Sequence, residues 1–245
     1  MDALQQRTKA ELKLFPTLES DPGALYHVWE FFPPSYNCPW DMQRVGLFGD
    51  GGKWVCGMSL YESATTRPLV VYSFGIAYES SFEQEILERT NAYIFGYDYT
   101  VDSFGPEITS DYQNRTIMKK FGIGSKDIPG DPPFFTLQSL MKQNNHSYID
   151  ILKMDIEGDE LAVLTSFMDG FIGQQLPIGQ VLIEIHLFQE HTTLKDFTIW
   201  WERLEEFGLR PVWAEANLLA VTYGGVLPCC TEYVFININD NKTIL

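Results

Sequence analysis

The sequence predicts an α/β fold: a doubly wound, mostly parallel sheet of about seven strands, with the last strand antiparallel. Three observations predict it. Strand-like and helix-like stretches alternate from residue 68 onward. The strand-like stretches are continuous apolar runs, without the polar alternation of a sheet that has one wet face. The final two, "RPVWAEANLLAVTY" and "TEYVFININ", have no helical pattern between them, which places an antiparallel pair at one edge.

Taken in order, residues 1 to about 35 read as an extension. A short helical stretch carrying Leu4, Leu12 and Leu14 ends at Pro16, and "FFPPSYNCPW" is turn-rich. In "VGLFGDGGKWVCGMSL", Asp50, Gly51 and Gly52 can take the positive φ angles of a tight turn, so a hairpin is expected. "PLVVYSFG" (68–75) is the first strand of the sheet. "SSFEQEILER" (80–89) is a helix with Ser81 as its cap, acids in its first turn and Phe82, Ile86 and Leu87 on its apolar face. Strands follow at "AYIFGYD" (92–98) and "RTIMKKFGIG" (115–124), then a helix at "TLQSLMKQNN" (136–145). Ile151, Leu152 and Met154 form a strand that leads into a helix with Leu161, Val163 and Leu164. A third pair comprises "GQVLIEIHLF" (179–188) and "TLKDFTIWWERLEEFG" (193–208), whose Trp200 and Trp201 are expected in the core. The Pro/Gly-rich loops at 100–114 and 124–134 are long enough to be lids or plain surface loops.

Composition limits the function. The 245 residues fit one large domain, and a formal net charge of -16 repels phosphate backbones. The richest basic stretch is the pair Lys119-Lys120, so no nucleic-acid partner is expected. No apolar run is long enough to span a membrane, and the polar N-terminus lacks a signal-peptide core, which points to a cytoplasmic protein. Acceptor triplets at Asn114, Asn145 and Asn241 leave a secretory origin open. The 4 cysteines, Cys38, Cys56, Cys229 and Cys230, do not have zinc-site spacing. Cys38 and Cys56 could bridge, but free, buried thiols are expected.

In open α/β sheets, ligands bind beyond the carboxyl ends of the strands, where strand order reverses. Those ends carry Phe74 and Gly75; Asp98; Gly122, Ile123 and Gly124; Asp155 and Glu157; Glu184 and His186. Gly75 permits a tight strand-to-helix turn and close approach of a ligand. It stands alone rather than in GxGxxG, so a nicotinamide oxidoreductase is disfavoured. Asp98 can accept hydrogen bonds from ribose hydroxyls. In "KMDIEGDEL", Asp159 and Glu160 fall in the first helical turn, where the macrodipole favours acids. Asp155 and Glu157 have no such explanation. Two carboxylates at a strand end repel unless a cation lies between them: a ligand, a metal, Lys153 or another protein cation. Asp155, Glu157, Glu184 and His186 could together hold Mg²⁺ or Mn²⁺ if the third dimension allowed it. Sequence alone assigns no metal.

"DILKMDIEGDELAVL" resembles the fourth-strand motif of FkbM-type S-adenosylmethionine-dependent methyltransferases, and "VLIEIH" (181–186) resembles their fifth strand. "VVYSFGIAYESSFE", "DGGKWVC" and "CCTEYVFIN" are similar to the branch called methyltransferase-like. The resemblance covers roughly residues 36 to 240. It implies a class I methyltransferase fold over residues 68–245, with residues 1–67 as an extension and hairpin cap. It also implies S-adenosylmethionine as cofactor, Phe74 and Gly75 against its methionine part, Asp98 at the ribose and Ile123 and Gly124 near adenine. Asp155 and Glu157 would then face the reacting end, with an unidentified methyl acceptor beyond.

An acid-lined cleft suits a sulfonium cation. Methyl transfer is a direct displacement, so the protein positions a nucleophile and accepts a proton where that nucleophile is a hydroxyl. Asp155, Glu184 and His186 are the candidate bases, His186 because its ordinary pKa lies near neutrality. The expected activity is O-methylation of a small molecule, sugar or protein side chain. The alternative is a catalytically silent methyltransferase-like module used for binding.

Overall fold

The computed structural model describes residues 27–188, 192–225 and 227–245. The expected helix ending at Pro16 lies outside them. Seven strands form the main sheet: β3 (Val70–Phe74), β4 (Tyr93–Tyr97), β5 (Thr116–Lys119), β8 (Ile149–Met154), β9 (Ile178–His186), β10 (Leu209–Ala216) and β11 (Cys230–Asn237). Their order is β10-β11-β9-β8-β3-β4-β5. All run parallel except β11, which is antiparallel to both neighbours, β9 and β10. The fold is that of a class I, Rossmann-like α/β protein.

Alternation along the central strands builds two cores. Tyr72, Leu152, Val181 and Ile183 enter one, and Val71, Ile151 and Leu182 enter the other. Both sets are apolar because both faces are covered, which is why these strands read as continuous runs. The first face is covered by α3 (Leu137–Gln143), α4 (Glu160–Asp169) and α5 (Leu194–Glu206). Trp200 and Trp201 of α5 lie within this core. The second face is covered by α1 (Met58–Ser63), α2 (Ser81–Arg89) and a hairpin, β1 (Met42–Val45) with β2 (Lys53–Cys56). Val45, Val55, Cys56, Met58 and Tyr61 share this core with Leu69, Val71 and Phe82, so packing is continuous across residue 67.

Several local expectations are corrected. The stretch 115–124 is two elements: β5, then β6 (Gly122–Ile123), which pairs with β7 (Phe134–Phe135) outside the main sheet. Phe121 breaks the strand because its amide turns back to the Lys119 carbonyl at 2.8 Å. "RPVWAEANLLAVTY" is not one strand: β10 stops at Ala216 and a short helix, α6 (Leu218–Tyr223), follows. Ser80, not Ser81, occupies the cap of α2, and the Ser81 hydroxyl instead accepts from the Leu47 amide at 2.8 Å. The cysteines are not free thiols. Cys38 and Cys56 form a disulfide with their Cα atoms 5.8 Å apart, and Cys229 is paired with Cys230. Among the described residues, no helix is long and apolar enough to cross a membrane.

Candidate active site

The strand order reverses between β3 and β8, where successive strands leave in opposite directions. Gly75 stands at this point with φ +76°, and its amide donates to the Tyr97 carbonyl at 3.2 Å. A Cβ on Gly75 would lie 1.7 Å from the Asp155 carbonyl oxygen, so only glycine lets the two strand ends lie this close. Beyond them opens a cavity of about 1430 Å³. That exceeds the usual size of a small-molecule site and leaves room for two ligands. Gly75, Asp98, Ile123, Asp155, Glu184 and His186 all line it, with Glu157 at its edge.

Asp98 is almost fully buried at the end of β4. One carboxylate oxygen accepts from the Ile76 and Ala77 amides, both at 2.9 Å. The other accepts from the Thr100 amide and hydroxyl, both at 2.6 Å. Burial opposes the charge, yet these donors, the Ala77 amide first, hold the carboxyl below its ordinary pKa. Four donors occupy a carboxylate's lone-pair positions. Asp98 therefore braces the turn after Gly75 at the edge of the cavity.

The ammonium paired with Asp155 is that of Lys53, from the hairpin, rather than Lys153, and the His186 imidazole stands between Asp155 and Glu157, 3.9 Å from one and 3.6 Å from the other. Lys53 is 2% exposed; its ammonium lies 3.0 Å from Asp155 Oδ2 and also pairs with Glu232. Burial disfavours its charge, but Glu232 and Asp155 outweigh this and raise its pKa. The pKa of Asp155 is lowered: burial resists, while Lys53 and then Lys153 stabilise the anion. Lys153 itself turns to Glu83, at 3.2 Å, and to the Gly75 carbonyl.

Glu184 and Glu232 are directly opposed on β9 and β11, a like-charge pairing that is unfavourable without a cation. Burial, then Asp155 and Glu232, push the Glu184 carboxyl up to about 7. Burial, followed by Asp155 despite Lys53, raises Glu232. Asn217 donates to Glu184 Oε1 at 2.7 Å.

His186 is buried, and its Nδ1 meets Glu160 Oε1 at 2.8 Å. Burial works against a charged imidazole, but Glu160, then Glu184 and Asp155, carry its pKa up to about 9. With no other cation bound there, this favours the charged imidazole over the neutral base that its ordinary pKa suggested. Glu160 is not simply a helix-dipole acid. It is fully buried, and the same oxygen accepts from the Ile156 and Gly158 amides, both at 3.2 Å. Glu157 does not continue the strand face of Asp155. Its φ of +59° turns it to solvent, with Oε2 3.6 Å from His186 Nε2.

Two expected contacts fall outside the cavity. Phe74 is fully buried and stacks on Tyr97, with ring centroids 5.0 Å apart, and Gly124 is not part of the lining, whereas Gly122 and Ile123 are. Three contributors were not singled out from sequence, Lys53, Asn217 and Glu232, and Glu160 was read there only as a helix-dipole acid. The available signal was Lys53, a lone cation inside an apolar strand, where an unpaired charge is prohibitive.

Comparison with curated proteins finds no match. Solved structures of low similarity include a 1,6-didemethyltoxoflavin-N1-methyltransferase of Burkholderia thailandensis, crystallised with 1,6-didemethyltoxoflavin and S-adenosylhomocysteine. It is 12% identical, with 74% of this chain and 76% of that one covered and a TM-score of 0.39. A putative hemolysin from Streptococcus thermophilus is 10% identical over 77% of this chain and 72% of that one, with a TM-score of 0.40. A structure named StiE O-MT residues 942-1257 is 14% identical, covering 74% and 71%, with a TM-score of 0.38. At these scores the likenesses add nothing on substrate or mechanism. The sequence family described as "Methyltransferase domain" matches residues 9–235, nearly the whole chain, hairpin and sheet alike, and the protein belongs to that family.

Proposed function

We propose that the protein is an S-adenosylmethionine-dependent methyltransferase that methylates a hydroxyl oxygen, with the cofactor held at the ends of β3, β4 and β8. The observation that carries this reading is the gathering of Asp98, Asp155 and Glu184 around one cavity at the reversal of strand order. The "LKMDIEG" stretch (152–158) supports placing it in the FkbM-type branch.

The chain's residues fit that cofactor by their chemistry. The glycine turn at 75–77, braced by Asp98, allows close approach of the methionine part. Ile123 offers an apolar wall for a base. Asp155 and Glu184 supply negative potential for a sulfonium, worth most in a site shielded from water. When bound, the cofactor supplies an electrophilic methyl group. Glu184 is the proton acceptor that the geometry favours. Its Oε1 is anchored by Asn217 and its Oε2 faces the cavity. His186 is held by Glu160 and orients the carboxylates around it.

Calorimetric titration of the full chain with S-adenosylmethionine tests this. Micromolar binding is expected, and Asp98→Ala should weaken it at least tenfold by releasing the glycine turn. Absence of heat at millimolar cofactor would instead support the catalytically silent binding module.

A further inference from the structure

The geometry around His186 points to a divalent-cation site, which we propose is formed by His186 Nε2 with Asp155 Oδ1 and Glu157 Oε2, and with Glu184 Oε2 beside them. His186 lines the cavity, and its Nε2 makes no hydrogen bond among the described residues. It faces three carboxylate oxygens: Glu157 Oε2 at 3.6 Å, Asp155 Oδ1 at 3.9 Å and Glu184 Oε2 at 4.0 Å. These separations are too long for hydrogen bonds. They fall between the roughly 3 Å of adjacent ligands and the roughly 4.2 Å of opposite ones around an octahedral ion at about 2.1 Å, so an ion entering between them would draw the oxygens closer to Nε2. The ligand atoms of Asp155, Glu157 and His186 all lie within 4.8 Å of one another.

Three further features separate this arrangement from a chance cluster of acids. The carboxylate oxygens turned away from Nε2 are anchored: Asp155 Oδ2 by Lys53 and Glu184 Oε1 by Asn217. The imidazole nitrogen turned away from the cluster is fixed by the buried carboxylate of Glu160, the second-shell arrangement that orients metal-ligating histidines. The charges are also out of balance. The carboxyl groups of Asp155, Glu157, Glu160, Glu184 and Glu232 outnumber the cations within reach, Lys53, Lys153 and one imidazole. A divalent ion offsets that excess. One nitrogen with two or three oxygens suits Mn²⁺ better than Mg²⁺ or Ca²⁺. Cys230 also lies near Glu184 and His186, but its sulfur is paired with Cys229 and is not available.

The test is a Mn²⁺ titration of the metal-stripped full chain, followed by the loss of the free-ion electron paramagnetic resonance signal. A single saturable site at submillimolar Mn²⁺ is expected. Glu157→Gln should weaken it at least tenfold; this side chain is largely exposed, so the variant should fold normally. Asp159→Asn removes a charge from the same cavity but no ligand, and should leave affinity within twofold. No saturable binding overturns the site, leaving a proton on Nε2 as the counter-charge. Equal losses in the two variants also overturn it, because they would show diffuse attraction to an acidic surface. S-adenosylhomocysteine binding in EDTA is measured separately. Mn²⁺ binding without it supports the metal site while counting against methyl transfer; S-adenosylhomocysteine binding without Mn²⁺ does the reverse.

Discussion

Lys53→Met removes a buried cation that ties the hairpin to the sheet without removing bulk. In the wild type the Lys53 side chain is 1% exposed and pairs with Asp155 and Glu232, whose side chains are 19% and 17% exposed. Removing one partner of a buried ion pair costs ~3–5 kcal/mol, because the other is left as an uncompensated charge. Here two carboxylates are left, but Asp155 lines the cavity and neither side chain is fully buried, so water and a proton can reach them. The lower end applies, about 3 kcal/mol, a large share of the ~5–15 kcal/mol stability of a domain. Urea unfolding followed by tryptophan fluorescence measures it, with the denaturant slope unchanged if the folded state stays compact. Adding Glu232→Gln should recover more than ~1 kcal/mol, since Asp155 then has one like-charged neighbour fewer. A single-variant loss below ~0.5 kcal/mol would refute the view that Lys53 neutralises the carboxylate wall.

Three other outcomes follow from the same geometry. Gly75→Ala should abolish cofactor binding and lower the urea midpoint sharply, because its Cβ would meet the Asp155 carbonyl and φ is +76°; unchanged values would mean that the turn is not constrained as described. Cys38→Ser should cost about 3 kcal/mol of stability, from the loop entropy of the 18-residue separation, measured by thermal unfolding under non-reducing conditions. Asp98 has a depressed folded pKa, so its contribution is complete above the ordinary value of 3.8 and lost as the pH falls through the lower folded value. Acidification from pH ~6 to ~3 should therefore lower the melting temperature of the wild type more steeply than that of Asp98→Asn.

Much of the fold was legible because both faces of the sheet are covered. That condition writes apolar runs such as "VVYSF" and "VLIEI" directly into the sequence. The break at Phe121 and the helix at Leu218 were not legible. Each is set by short-range backbone pairing that apolar content does not reveal. For the site, the ends of β3, β4, β8 and β9 could be read because sheet topology brings them together. Asp98, Asp155, Glu184 and His186 do line one cavity. The hairpin's share could not be read. Lys53 reaches Asp155 across 102 positions of sequence, and no local pattern encodes such a contact. Glu160 was assigned to the helix dipole, a sufficient local reason that concealed its bond to His186. Asp98 was correctly placed at the cavity but bonds inward, because the amides of its own turn compete for the same lone pairs.

If the carboxylate wall recognises a positively charged sulfur, a charge removed from it should matter more to S-adenosylmethionine than to its neutral product S-adenosylhomocysteine. Asp155→Asn keeps the shape of the side chain and removes one negative charge. The account predicts that this variant loses at least tenfold, about 1.4 kcal/mol, more affinity for S-adenosylmethionine than for S-adenosylhomocysteine in parallel calorimetric titrations. Equal losses for the two ligands would contradict it.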